Sequence, residues 1–123
     1  MFEKYLIVDG SLRNTDNGVA IDLRIPYYRG LGLSMVEQVD LVIDGQATDP
    51  ENTTFTVHGN RYPLAALAEV VDDRWGFHEP ATISVHDRRQ LTPGEHEVSA
   101  SLLLRISYLP VQHPTSATKK LTI

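Results

Sequence analysis

Cysteine is missing altogether from the 123 residues. A thiol nucleophile and a disulfide staple are therefore excluded, and a small chain without disulfides fits the reducing cytoplasm. Basic charge is scarce as well: 11 Lys and Arg stand against 16 Asp and Glu, a formal charge of −5. A nucleic-acid partner normally demands a basic face, and an anionic membrane surface demands the same. No run approaches the ~20 apolar residues of a membrane-crossing helix. The opening Met1-Phe2-Glu3-Lys4-Tyr5-Leu6-Ile7-Val8-Asp9 lacks the basic region and small-residue cleavage site of a secretory leader. Gly-x-Ser-x-Gly is absent, and Gly30-Leu31-Gly32 is too short for a dinucleotide fingerprint. Internal repeats, low-complexity tracts and linkers are also lacking. The expectation is one cytoplasmic domain over 1–123, with no nucleic-acid or membrane partner. A chain of this length buries roughly two-thirds of its unfolded surface, enough for a core of its own.

What is present is a period of two. Val19, Ile21, Leu23 and Ile25 alternate with Ala20, Asp22 and Arg24, and Val39, Leu41 and Ile43 with Gln38, Asp40 and Val42. Asp44-Gly45 follows the second run and signals a hairpin. Tyr5 to Val8, Thr53 to Val57 and Thr82 to His86 read as further short strands, and His58-Gly59-Asn60 as a turn in which Gly and Asn accept positive φ. After the turn Thr92-Pro93-Gly94 comes the best-patterned run. Val98, Ala100, Leu102, Leu104 and Ile106 share one face of a strand from Glu95 to Leu109. It would span roughly 50 Å if straight, so a bulge or bend is expected within it. Lys119 to Ile123 suits a final edge strand. One helix is expected near Pro63 to Val71, with Leu64, Leu67, Ala68 and Val71 at i, i+3, i+4, i+7. The fold class is all-β: an antiparallel β-sandwich with one short helix.

The five histidines, at 58, 78, 86, 96 and 113, form no His-x-His pair and no His-Glu-x-x-His motif. No metal site is expected. His96 shares the face of Val98 and Leu102, which suits a corner role: an imidazole N–H bonding back to a loop carbonyl. His58 either completes a turn or projects from the sandwich edge. Trp75 and Phe77 either cap the core or sit in an interface, and such a pair can also stack on sugar. Asp72 or Asp73 can pair with Arg74 at the surface. The acidic residues Asp44, Asp49, Glu51, Asp72 and Asp73 fall in turns, where solvation explains them.

Two segments leave strands with shared chemistry: Arg24-Ile25-Pro26-Tyr27-Tyr28-Arg29-Gly30 and Arg105-Ile106-Ser107-Tyr108-Leu109-Pro110. Proline ends the ladder, and Tyr and Arg are enriched where protein surfaces dock. Tyr27, Tyr28, Arg29, Tyr108 and Pro110 are therefore expected to gather at one end as a partner interface. A free-standing carbohydrate-binding module and a small enzyme in its own right stay open on the residues alone.

Together with Met1-Phe2-Glu3-Lys4-Tyr5, Phe55-Thr56-Val57-His58-Gly59-Asn60, Arg74-Trp75 and Pro93-Gly94-Glu95-His96-Glu97-Val98, these segments resemble the small (beta) subunit of bacterial C-glycoside deglycosidases. The resemblance runs nearly end to end. It implies a β-sandwich paired with a TIM-barrel alpha subunit, in a complex that cleaves the carbon–carbon bond between a 3-oxo sugar and an aromatic aglycone. It also implies that a divalent metal, manganese, and the main acid/base groups lie on the alpha subunit. No cofactor and no catalytic residue is then expected on this chain, which meets the 3-oxo-C-glycoside through the complex. His58 and His113 are the residues expected nearest to substrate.

Overall fold

The computed structural model describes residues 6–25, 30–76, 79–105 and 113–123, with side chains from 115 in the last stretch. Eleven strands occur among them: β1 (Arg13–Thr15), β2 (Gly18–Leu23), β3 (Leu31–Gly32), β4 (Val36–Ile43), β5 (Gln46–Ala47), β6 (Thr53–Val57), β7 (Asn60–Pro63), β8 (Arg74–Trp75), β9 (Ala81–Val85), β10 (Glu95–Leu104) and β11 (His113–Thr122). They form a five-stranded sheet β1-β2-β9-β6-β7, a four-stranded sheet β11-β10-β4-β5 and the small pair β3-β8. Every pairing is antiparallel.

Alternation builds the core. Phe55 and Val57 of β6, Ala81, Ile83 and Val85 of β9, and Val98, Ala100, Leu102 and Leu104 of β10 are all buried. They join β2 and β4 residues in one apolar cluster. Each fully buried Val, Leu, Ile or Phe stabilises by about 1.5–3 kcal/mol relative to exposure. The two-residue turns Asp44-Gly45 and His58-Gly59 both have positive φ throughout, the hairpin geometry that matches strand twist. The positive φ falls on His58 and Gly59 rather than on Asn60, which already pairs with Val57 as the first residue of β7. The bulge expected along β10 lies between Leu103 and Leu104, and the extra residue is Glu37 on β4.

Residues 64–69 form a 3-10 helix, not an α-helical turn. Leu67 is buried, Leu64 and Val70 pack against the core, and Val71 is exposed. The buried spacing is thus i, i+3, i+6, which a three-residue turn stacks on one side. Pro63 closes β7 and caps the helix. Of the expected first strand, Tyr5 lies outside the described residues, and the described part forms a single bridge, Ile7 to Leu23.

One end of the sandwich gathers the turn between β6 and β7, the Leu23 end of β2, the Ala81 end of β9, and β3 with β8. Residues 33–35 connect β3 to Val36, which pairs with Leu104, itself paired with His113. The other end holds Asp44, His96 and the Gly94–Ile123 backbone pair.

Candidate functional site

The densest polar cluster belongs to the first of these ends. A positive-φ hairpin residue points its side chain off the strand tip, and His58 at that position is 44% exposed. Its Nδ1 lies 3.0 Å from Asp73 Oδ1 and its Nε2 lies 2.6 Å from Glu79 Oε2. Ionised carboxylates only accept, so both ring nitrogens must donate and the ring is an imidazolium. The hydrogen bond to Asp73, opposed by burial and helped by the charge of Glu79, raises the His58 pKa.

Asp73 is saturated. Besides His58 it accepts from the Tyr62 hydroxyl (2.6 Å), the Asn60 amide (3.2 Å) and the Arg74 backbone N–H (2.8 Å). Tyr62 first and His58 second hold its carboxyl well below the usual carboxylate range. The same bond to Asp73 pushes the Tyr62 phenol up to about 12. Alternation along β7 sets Asn60 and Tyr62 on one face, so a two-residue turn brings three donors to one carboxylate. Glu79 Oε1 accepts from the Gly76 N–H at 3.0 Å, and the Glu79 carbonyl accepts from Trp75 Nε1 at 2.7 Å. Trp75 is fully buried and meets Phe55 edge to face at 5.3 Å. It caps the core and presents no face on which a sugar could stack.

The cluster ties Asp73, Gly76 and Glu79 to the hairpin. Leu33 N–H donates to the Asp73 carbonyl, and Arg74 reaches the Gly30 carbonyl at 3.3 Å. The expected surface pair of Arg74 with a neighbouring Asp is not formed, because Asp73 turns towards the hairpin. Nor is Asp73 a solvated turn residue: its side chain is 11% exposed. Asp44 stays 44% exposed in its turn, and its carboxylate also accepts from His96 Nδ1 (2.6 Å) and the Glu97 N–H (2.9 Å). His96 Nε2 donates to the Thr92 carbonyl at 2.7 Å, the corner role its position suggested.

Tyr27, Tyr28, Arg29, Tyr108 and Pro110 lie outside the described residues, as do Phe77 and His78. Their described chain neighbours Gly30 and Arg105 both stand at the His58 end, with Arg105 N–H bonded to the Met35 carbonyl. His113 begins β11 opposite Leu104. The sequence reading missed Asp73, Tyr62, Asn60 and Glu79. The only local signal was alternation of Asn60 and Tyr62 beyond a turn, and nothing local marks their common partner.

Among the described residues no group of three His, Asp or Glu side chains is set to hold a metal ion. His58 makes the reason concrete: its two carboxylates sit on opposite nitrogens and cannot converge with it on one cation. No described helix is long and apolar enough to cross a membrane.

Comparison with known proteins adds a family. A family model described as C-glycoside deglycosidase beta subunit matches residues 2–108. The 3′-dehydrocarminate deglycosidase beta subunit of a Microbacterium species is 38% identical over 111 residues, covering 90% of this chain and 83% of that one. The C-glycoside deglycosidase beta subunit of Eubacterium cellulosolvens is 28% identical over 114 residues, covering 88% and 78%. One from Arthrobacter globiformis is 29% identical over 107 residues, covering 86% and 81%.

Proposed function

The chain belongs to the C-glycoside deglycosidase beta subunit family, and from that premise we propose that it is the smaller chain of a cytoplasmic two-chain carbon–carbon lyase. The larger chain is a TIM-barrel alpha subunit carrying the acid/base groups and a divalent metal, manganese. The substrate is a C-glycoside whose sugar bears a 3-oxo group. A relative named for 3′-dehydrocarminate supports an oxidised sugar.

The reaction is an elimination. The 3-oxo group acidifies the sugar's C2 proton, and a base removes it. The C2–H electron pair forms C1=C2, the C1–aryl bond breaks, and the departing aryl carbon takes a proton from an acid. This chain's described residues do not fit a metal, and no step is assigned to them. Their contribution is positional.

The observation that carries this reading is the way the His58 end is built. Both nitrogens of His58 and both oxygens of Asp73 and Glu79 are engaged in holding Asp73, Gly76 and Glu79 to the hairpin. Groups so engaged fix backbone rather than exchange protons. A fixed end docked beside a barrel mouth orders the barrel's βα loops and excludes water from the sugar. The 44% exposure of His58 on that end supports a place beside the substrate mouth.

The test is reconstitution of separately purified chains on a 3-oxo-C-glycoside, with metal measured on each. Turnover is expected only from the mixture. Full turnover by the larger chain alone would refute the dependence, and stoichiometric metal on this chain would refute the division of labour.

A further inference from the structure

Among the described residues, part of β4 has no strand beside it on one side. β5 covers only Val42 and Ile43. Ile43 faces Gln46 across the two-residue turn, so backbone groups of the same phase, at Leu41 and Val39, point to that side. The Leu41 carbonyl accepts from the Thr48 N–H. The Val39 N–H and C=O find no backbone partner there among the described residues.

Other edges of the two sheets are guarded. β11 carries Pro114, Lys119 and Lys120. β7 carries Arg61 and Pro63, and β1 is three residues long with Arg13. Proline, lysine, arginine and brevity all discourage a strand from adding. From Val36 to Leu41, β4 has no proline, lysine or arginine; its guards are the bulge at Glu37 and the acidic Glu37 and Asp40, which repel an acidic strand and admit a basic one.

Beside that edge runs a groove of about 320 Å³. Its apolar wall is Val36 and Val39 of β4, Pro50, and Leu64, Ala65 and Leu67 of the 3-10 helix. Its rim is acidic: Glu37, Asp40 and Glu51. Glu37 pairs with Arg105 at 3.2 Å, while Asp40 is bonded by the Gln38 amide. Among the described residues neither Asp40 nor Glu51 has a basic partner.

We propose that this edge and groove take an extended segment of the larger partner subunit, alternating apolar side chains with Lys or Arg. The occupant rests on the two-chain reading above. An added strand lies about 4.8 Å from β4 and satisfies Val39, its alternate side chains entering the groove. Its basic side chains meet the acidic rim. The groove starts at Val36, one residue from the Met35–Arg105 contact, so it continues the docking end along one side of the sandwich.

The experiment measures affinity between this chain and the larger subunit for Ala65→Trp, which fills the groove from an exposed position, and for Asp40→Lys, which reverses the rim. Hydrogen exchange of the Val39 amide is followed with and without the larger subunit. Each variant is expected to bind at least tenfold more weakly while remaining folded, and the wild-type Val39 amide to exchange more slowly in the complex. Wild-type affinity in both variants, with Val39 exchange unchanged, overturns the groove while leaving the two-chain reading intact. A wild-type chain that does not bind the larger subunit overturns both. Self-association that Ala65→Trp abolishes assigns the groove to a second copy and overturns the proposed occupant.

Discussion

Three histidines hold three environments, and each protonation state follows from what the ring nitrogens face. His58 and His96 face acceptors on both sides and are imidazolium. His86 accepts at Nε2 from Arg61 (2.9 Å) and donates from Nδ1 to Asn17 (3.0 Å), so it is neutral. Burial and then the Arg61 charge lower its pKa. The Thr92 carbonyl first, and then Asp44, raise that of His96. An NMR titration of the ring Cε1–H signals should place His58 and His96 above the ordinary value of about 6.5 and His86 below it. Asp73→Asn should bring His58 back towards that value. The raised His58 and His96 values mean that their stabilisation is full below about pH 6.5 and is lost as pH rises through the folded pKa. Asp73 acts in the opposite sense: its contribution is full above about pH 4 and is lost as pH falls through its lowered folded pKa. The contacts of His58 with Asp73 and Glu79 therefore contribute in full between about pH 4 and 6.5 and weaken on either side, through the lowered Asp73 pKa below and the raised His58 pKa above. A His58 midpoint at or below the ordinary value would contradict the two-carboxylate geometry.

At the scale of elements, the 3-10 helix and the β8 segment carry the discriminating predictions. Leu67 is buried in the core cluster, and Leu67→Ala should cost about 2–5 kcal/mol of folding stability. Val71 is 85% exposed, so Val71→Ala should stay within about 0.5 kcal/mol. Denaturant unfolding of the two variants separates the 3-10 spacing from an α-helical one, in which both residues would be buried. Leu64 and Leu67 suit either helix, so the apolar pattern alone did not discriminate. What opposes a longer helix is charge: Glu69, Asp72 and Asp73 crowd the C-terminal side, where the helix dipole disfavours anions. Trp75→Ala removes the aromatic cap against Phe55 and should cost about 3–5 kcal/mol in the same assay. A loss near zero would mean that Trp75 does not close the core.

At the scale of the whole molecule the prediction concerns assembly. Tyr28 and Arg29 precede Gly30, which Arg74 holds at the His58 end. Truncating a buried Tyr or Arg anchor typically costs about 2 kcal/mol or more of binding. Tyr28→Ala and Arg29→Ala should thus each weaken association with the larger subunit by an order of magnitude or so, measured by titration of purified chains. Unchanged affinity in both would mean that this loop serves only the chain's own fold.

Period-two patterning from Val39 to Ile43 and from Val98 to Leu104, punctuated by Asp44-Gly45 and Pro93-Gly94, determined the sandwich by itself. Alternation and turn chemistry are local, and every strand on one buried face repeats the same signal. The corner role of His96 was legible for the same reason, since its face on β10 was already known. The His58 cluster was not legible. Its hairpin donors lie 11 to 21 positions from the carboxylates they meet, on a hairpin tip and a loop that share no periodicity. Which carboxylate meets which ring depends on how β6 and β7 lie beside β8. Tertiary structure alone decided that Asp73 is saturated by four donors instead of solvated, because only folding concentrates those donors around one carboxylate. It likewise decided that, among the described residues, no strand pairs with Val39 of β4 on one side, since strand order is set by long-range pairing that no local residue records.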